Sequence, residues 1–99
     1  MKSNPALAIL KKCDEVSLIL KALSHPVRLK ILCRVIDADL TVGELTEFCG
    51  ISQSSMSQFL GRMKEEGVLT SRRDGTSIYY GIQDQKLKKL ILALKEIYC

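Results

Sequence analysis

The stretch that decides the fold is Thr41–Glu66, TVGELTEFCGISQSSMSQFLGRMKEE, which predicts two short helices joined by a tight turn. Thr41 and Glu44 have the spacing of a capping box, in which each side chain hydrogen-bonds the backbone amide of the other residue. Gly50 suits the left-handed position that ends the first helix, and Ser52 suits the cap that starts the second. The stretch therefore predicts a helix-turn-helix.

The second of these helices has one apolar face and one polar face. Met56, Leu60 and Met63 recur at i, i+4 and i+7, which places them on one side of the helix. The opposite side carries hydroxyls, amides and a guanidinium, the groups that read base edges in the major groove. An ordinary solvated face is the alternative interpretation. The residues of this helix that we expect to contact DNA are Gln53, Ser54, Ser55, Ser57, Gln58 and Arg62.

A β-hairpin is predicted after Gly67, which stops the second helix. We expect its strands at residues 68–72 and 76–82, on either side of a turn at Asp74-Gly75. An Asp-Gly pair between β-branched and aromatic residues is a strong hairpin signal. A basic hairpin tip beside a recognition helix is typical of a DNA-binding wing, although a solvated basic turn is the alternative. The wing residues expected to contact DNA are Arg72, Arg73 and Thr76.

Three further helices complete the predicted architecture. Residues 5–22 form the first helix, and Pro26 lies in the first turn of the second, where its missing N–H costs nothing. Asp84 caps the last helix, residues 85–99. The only histidine, His25, precedes a proline at a helix start, so we expect it to cap or pack rather than to bind a ligand.

The composition fits one mainly α domain that covers residues 1–99. The net charge of +4 permits binding to nucleic acid without proving it. The sequence has no apolar run long enough to span a membrane and no signal-peptide pattern, so we expect a cytoplasmic protein. It also has no carboxylate pair, catalytic triad or phosphate loop, so we predict that it is not an enzyme.

The first and last helices carry more apolar surface than a domain of this size readily covers. For the first helix, closing the monomer core and pairing with a partner fit the pattern equally well. Pairing both helices between two copies would bury both faces, so we predict a two-fold homodimer that presents two recognition helices to an inverted-repeat operator. The apolar residues concerned are Ala6, Ile9, Leu10, Cys13, Val16, Leu20, Leu23, Leu87, Leu90, Ile91, Leu94, Ile97 and Tyr98.

Together with the order of elements, three segments resemble the ArsR/SmtB family of dimeric winged-helix repressors: LSHPVRLKIL (23–32), the stretch at 41–69, and RRDGTSIYYGI (72–82). The resemblance covers nearly the whole chain. It implies a winged helix-turn-helix protein that binds double-stranded DNA when unliganded and releases it when an inducer binds. One departure is Phe59, where the family pattern usually has histidine.

Neither of the two familiar metal sites of that family is intact in this sequence. One site needs a C-x-C motif in the first helix of the helix-turn-helix, where this chain has only Cys49. The other needs Asp and His ligands along the last helix, which here offers Asp84 and Glu96 without a histidine. Because a tetrahedral site takes three or four nitrogen or sulfur ligands, we predict no metal site and no cofactor.

Cys33 and Cys99 resemble the dithiol pair of the persulfide-sensing branch of the family. The flanking sequences ILCRVIDADLTVGEL and IYC carry this resemblance, and so does the separation of the two cysteines along the chain. Their positions alone would indicate inert packing residues; the resemblance implies that they sense reactive sulfur species. Cys13 and Cys49 lack a partner motif and are interpreted as packing residues.

Three functions stay open at this point. The first is a repressor whose DNA affinity is controlled by reactive sulfur or redox modification of Cys33 and Cys99. The second is a metal-responsive repressor with a non-standard ligand set drawn from the cysteines and His25. The third is an inducer-independent winged-helix protein that acts as an anti-repressor by displacing another protein from DNA.

Overall fold

The computed structural model describes residues 4–99, which form five helices and a small sheet. The order is four helices, a hairpin and a fifth helix, with one short strand added before the third helix. This confirms the predicted mainly α architecture with a winged helix-turn-helix. The elements are α1 (Pro5–Leu23), α2 (Pro26–Val35), β1 (Leu40–Thr41), α3 (Val42–Cys49), α4 (Gln53–Glu65), β2 (Thr70–Asp74), β3 (Ser77–Gly81) and α5 (Gln85–Tyr98).

Local capping sets the boundaries of the helix-turn-helix. The Glu44 amide donates to the Thr41 hydroxyl at 3.2 Å, and the Thr41 amide donates to the Glu44 carboxylate at 3.1 Å. Gly50 has φ 67°, the left-handed conformation that ends α3. The Ser55 amide donates to the Ser52 hydroxyl at 3.1 Å and so starts α4. The predicted capping box, glycine stop and serine cap are all confirmed.

Side-chain caps also start the flanking helices. The Val27 amide donates to Nδ1 of His25 at 3.1 Å, which confirms the capping role expected for this histidine. The Lys86 amide donates to the Asp84 carboxylate at 2.8 Å, as predicted for the last helix. These caps satisfy backbone donors that have no partner inside the helix.

The sheet is antiparallel, in the order β1-β3-β2. Strands β2 and β3 form the predicted hairpin, and Asp74 pairs with Ser77 beside the turn. Strand β2 has the predicted length but begins two residues later than expected, because Val68 and Leu69 belong to the turn that follows α4. Strand β3 is one residue shorter than predicted at each end. The third strand was not predicted: Leu40 pairs with Tyr80, but a two-residue strand has no periodicity to detect.

The core lies between α2, α3, α4, α5 and the sheet. Met56, Leu60 and Met63 of α4 are all 0% exposed, as their spacing predicted. They pack with residues from the neighbouring helices and from the segment after α4. The largest fully buried side chains are Ile31, Leu32, Leu45, Met56, Leu60, Met63, Leu69 and Ile91.

Helix α1 extends away from this core. Leu23 is its only buried residue, and the rest of its apolar stripe is solvent-exposed. The radius of gyration is accordingly 15.5 Å, compared with about 13 Å for a compact domain of 100 residues. Within residues 4–99, α1 therefore does not close the core, which was one of its two predicted roles. No helix in this part of the chain is long and apolar enough to cross a membrane.

Candidate DNA-reading surface and dithiol site

The polar face of α4 is solvent-exposed along its length. Five of the six α4 residues predicted to contact DNA are exposed on this face or at its edge: Gln53, Ser54, Ser57, Gln58 and Arg62. Ser55 differs because it is half-buried, and its hydroxyl accepts a hydrogen bond from the Ser52 hydroxyl at 3.0 Å. Ser55 therefore contributes to the cap of α4. The Ser54 hydroxyl also lies within hydrogen-bond distance of the Ser52 hydroxyl, at 3.3 Å, but Ser54 is exposed like the other four residues.

Phe59 lies on the flank of α4 that faces α2. It is half-buried against the core, and its ring centroid is 5.0 Å from that of His25. The residue that departs from the usual family pattern is thus a packing residue beside the start of α2. Phe59 therefore lies outside the group of exposed polar residues on α4.

The wing presents its basic residues on two different sides. Arg73 and Thr76 are exposed at the tip, as predicted. Arg72 instead donates through Nε to the Asp39 carboxylate at 3.1 Å, and its guanidinium carbon lies 4.6 Å from the centroid of the Tyr79 ring. The structure therefore separates a free arginine at the tip from one that is held against the sheet.

Sequence reasoning missed a brace that fixes the C-terminal end of α4. Arg28 donates to both carboxylate oxygens of Glu66, at 2.5 and 3.3 Å, and to the carbonyl of Ala22 at 3.0 Å. The Arg28 side chain is only 13% exposed, and its hydrogen bonds hold the pKa of Glu66 below the usual glutamate range. The brace ties the end of α1 and the start of α2 to the C-terminal end of α4. No local sequence signal identifies it, since its two charged partners lie 38 positions apart.

The structure places Cys33 beside the last turns of α5. Cys33 is half-buried on α2, and Nζ of Lys95 donates to its backbone carbonyl at 3.5 Å. The same ammonium group contacts the Asp37 carboxylate at 3.3 Å. Cys99 lies one helical turn beyond Lys95, since its amide donates to the Lys95 carbonyl at 2.9 Å. The Cys99 side chain is exposed. The two predicted sensing residues thus occupy the same junction between α2 and α5.

The surroundings of two cysteines shift the pKa of their thiols. Burial raises the pKa of the Cys33 thiol, the positive charge of Lys95 opposes that rise, and a negative charge on Cys99 adds to it. The pKa of Cys49 is likewise raised by burial and is partly offset by Lys30. All four cysteines are free thiols in this structure. Cys49 is buried in the core, which fits its interpretation as a packing residue.

The described part of the chain offers no ready metal site. Between residues 4 and 99, no group of three or more histidine, cysteine, aspartate or glutamate side chains is arranged to hold an ion. His25 uses Nδ1 to cap α2, and Cys13 is exposed on α1.

Comparison with known proteins identifies the family. The sequence profile described as "Bacterial regulatory protein, arsR family" matches residues 25–71. The biofilm growth-associated repressor of Xylella fastidiosa (strain Temecula1) is 40% identical over 89 residues, which cover 90% of this chain and 78% of that protein. The chain belongs to the arsR family of bacterial regulatory proteins.

Two further similarities extend over nearly all of this ArsR-family chain. The transcriptional activator HlyU of Vibrio cholerae is 32% identical over 99 residues, covering 100% of this chain and 84% of that protein. A homodimeric winged helix-turn-helix DNA-binding domain from Mycobacterium bovis has a TM-score of 0.75 at 27% identity, covering 97% of this chain and 86% of that one. The ArsR-family chain is therefore a DNA-binding transcriptional regulator, and not an enzyme.

Proposed function

We propose that this ArsR-family regulator is a homodimeric repressor whose affinity for DNA is lowered when reactive sulfur species bridge Cys33 and Cys99. The observation that carries the proposal is the junction between α2 and α5. There, Lys95 reaches the backbone of Cys33, and Cys99 lies one turn further along the same helix.

The exposed apolar surface supports the homodimer. The stripe along α1 has no cover within residues 4–99, and at the end of α5 Ile97 and Tyr98 are 71% and 80% exposed. A second copy would bury both surfaces through a self-complementary two-fold interface. We propose that residues 1–99 act as one DNA-binding unit in such a dimer, with the two α4 helices reading the half-sites of an inverted repeat.

The exposed groups of α4 and the wing support the DNA contacts. Gln58, Ser54 and Arg62 offer amide, hydroxyl and guanidinium groups on one open face, which suits base edges in the major groove. Arg73 and Thr76 at the wing tip suit phosphates or the minor groove. The remaining proposed contacts, Gln53, Ser57 and Arg72, flank these surfaces; Ser55 acts mainly as part of the α4 cap.

The proposed chemistry is transfer of sulfane sulfur followed by loss of hydrosulfide. A Cys99 thiolate attacks the outer sulfur of a low-molecular-weight persulfide, forms a Cys99 persulfide and releases the donor thiolate. The same transfer to Cys33 gives a second persulfide. The terminal sulfur of one persulfide anion then attacks the inner sulfur of the other, and hydrosulfide leaves. A trisulfide results, and no external oxidant is consumed.

Inserted sulfur atoms distinguish this signal from simple oxidation. A direct disulfide requires Cα atoms within about 7 Å, whereas each added sulfur atom lengthens the reach of the bridge between α2 and α5. Cys99 is exposed just after the last turn of α5, while Cys33 is half-buried within α2. Burial raises the pKa of the Cys33 thiol and so disfavours its thiolate.

Bridging changes the part of the molecule that the proposed dimer uses. The last turn of α5 becomes tied to α2, and the Lys95 contacts with Cys33 and Asp37 lie inside that turn. Because α5 also contributes to the proposed dimer surface, the spacing or mobility of the two α4 helices changes with it. A bias of about 1.4 kcal/mol against the DNA-binding arrangement lowers affinity tenfold.

The test combines mass spectrometry of peptides from the digested protein with measurement of DNA affinity. The probe is a duplex enriched from a random library by the unmodified protein, and the reagent is a low-molecular-weight persulfide. We expect a Cys33–Cys99 peptide linked through at least one added sulfur, together with an affinity loss of about tenfold. Cys33→Ser and Cys99→Ser should keep their DNA affinity after treatment, and the matched control Cys13→Ser should respond like the native protein. If treatment leaves DNA affinity unchanged and yields no linked peptide, the proposed control through Cys33 and Cys99 is wrong.

A second candidate output is activation by displacement of another DNA-bound protein, and the similarity to the V. cholerae activator favours it. Both outputs require the same DNA-reading surface. They differ in a reporter assay: a repressor lowers transcription from a promoter containing its operator by itself, whereas a displacing protein acts only when the competitor is present.

A further inference from the structure

Asp39 contacts an arginine at the base of the wing. It lies in the loop between α2 and β1, where its carboxylate accepts a hydrogen bond from Nε of Arg72 at 3.1 Å. The Arg72 guanidinium carbon lies 4.6 Å from the centroid of the Tyr79 ring, and Arg72 pairs with Tyr79 across the hairpin. The guanidinium is thus held by a charge on one side and an aromatic face on another.

Gly81 shows that the sheet accommodates this carboxylate. Gly81 is buried at the end of β3, and a Cβ atom on it would collide with the carboxylate of Asp39. Leu40, the next residue after Asp39, is paired with Tyr80 in the sheet, which fixes the backbone on that side. The absence of a side chain at Gly81 therefore gives Asp39 the space to reach Arg72.

This arrangement leaves one edge of Arg72 free. Its Nε is used by Asp39, whereas its two Nη groups make no hydrogen bond within residues 4–99. The side chain is 55% exposed, so that edge faces solvent. Arginine binds phosphate through paired, nearly coplanar N–H groups. An arginine already held in one orientation loses less conformational freedom when it binds.

We propose that Asp39 is a positioning residue for DNA binding, which with Tyr79 holds Arg72 so that its free Nη edge meets a DNA phosphate. The inference rests on the proposed DNA contact of Arg72 and adds the means by which that contact is oriented. The acidic charge of Asp39 by itself opposes DNA binding, so the positioning effect and the charge effect have opposite signs.

Two substitutions of Asp39 separate those effects. Asp39→Asn and Asp39→Ala remove the same charge, but only the asparagine oxygen can still accept the hydrogen bond from Nε of Arg72. We expect the asparagine variant to bind the enriched duplex at least about threefold more tightly than the alanine variant, a difference within the range of one hydrogen bond. In an Arg72→Ala background, the two variants should bind equally. Fluorescence anisotropy measures the affinities, and thermal unfolding confirms the folded state.

The salt dependence gives a readout that general destabilisation would not change. Arg72→Ala should reduce the slope of log K against log salt by about 1.8, because each of the two protomers loses one phosphate contact and each contact accounts for about 0.9. Asp39→Ala should reduce it in the same direction, while Asp39→Asn should keep the native slope. If Asp39→Ala does not fold, Tyr79→Leu removes the second support of the guanidinium and should weaken binding only when Arg72 is present.

The outcomes distinguish the two layers of the proposal. If Arg72→Ala changes neither affinity nor slope, the wing contact of Arg72 is wrong and the role of Asp39 falls with it. If Arg72→Ala weakens binding but the two Asp39 variants bind equally, Arg72 contacts DNA without being positioned by Asp39. A difference between them that persists without Arg72 also overturns the positioning role.

Discussion

Helices α4 and α1 both carry apolar residues along one face, but only the apolar face of α4 is buried. In α4 the apolar residues are completely buried, and the exposed side is polar. In α1 the apolar stripe is exposed except for Leu23. Hydrophobic periodicity reports that a face must be covered, but not what covers it. Under the proposed function, the remainder of the chain covers α4 and a second copy covers α1.

The largest effect is expected from a cavity under α4. Leu60→Ala removes a fully buried side chain and should lower the free energy of unfolding by about 2–5 kcal/mol. Gln58→Ala, on the exposed side of the same helix, should change it by less than about 0.5 kcal/mol. Denaturant unfolding measures both values. Equal effects at the two positions would contradict the assigned faces of α4.

A charge in the α1 stripe tests the other side of the comparison. Leu20→Asp places a carboxylate within that stripe and should convert the dimer to a monomer, as judged by light scattering. DNA affinity should fall by about a hundredfold, because the two α4 helices no longer belong to one dimer that binds both half-sites together. Lys11→Asp, on the opposite side of α1, is the control and should stay dimeric. A Leu20→Asp variant that remains dimeric would exclude this stripe from the interface.

The brace at the end of α4 gives a smaller, pH-dependent effect. Glu66→Gln should lower the free energy of unfolding by about 0.5–1 kcal/mol at neutral pH, a charge-assisted hydrogen bond discounted for solvent exposure. The pKa of Glu66 is lowered in the folded state, so this stabilisation is present above the ordinary glutamate range and is lost as pH falls through the lowered pKa.

Unfolding curves of the two proteins should therefore converge in acid. The neighbouring Glu65→Gln, which removes an exposed carboxylate with no ion pair in the described chain, should show no such convergence. A constant difference between Glu66→Gln and the native protein at every pH would argue against the brace.

The smallest effect is expected at the dithiol junction. The charge of Lys95 lowers the pKa of the Cys33 thiol, so Lys95→Met should raise it further and decrease the thiolate fraction at neutral pH. Sulfur bridging by the persulfide reagent should slow by a few-fold, and its rate profile should move to higher pH. Lys95→Arg retains the charge and should bridge near the native rate. Identical pH profiles for the methionine and arginine variants would dismiss this role of Lys95.

The parts of the fold that sequence predicts are those with local signals. Capping by Thr41 and Ser52, the left-handed Gly50 and the stripe of α4 each depend on residues a few positions apart. Strand β1 was missed because two residues carry no pattern, and its pairing with β3 comes from tertiary structure. The contacts between Arg28 and Glu66 and between Asp39 and Arg72 were missed for the same reason: each joins distant elements.

In the candidate sites, too, sequence predicts what depends on local spacing but not the contacts between distant residues. Exposure of the predicted α4 residues follows from helical periodicity, whereas the cap contact of Ser55 and the restraint on Arg72 depend on neighbouring side chains. For α1, sequence left two roles equally open, and the described structure removes the one that needs a closed monomer core. For Cys33 and Cys99, the pairing stays a prediction from family resemblance, while their position at one junction follows from the packing of α5 on α2.

Under the proposed function, a second copy covers α1 while α4 reads DNA, and the number of chains bound to DNA tests both roles together. Light scattering of the unmodified protein should give twice the 11.1 kDa chain mass, and the complex with an inverted-repeat duplex should contain two chains. A monomer that binds a single half-site as tightly as the whole repeat would contradict the account.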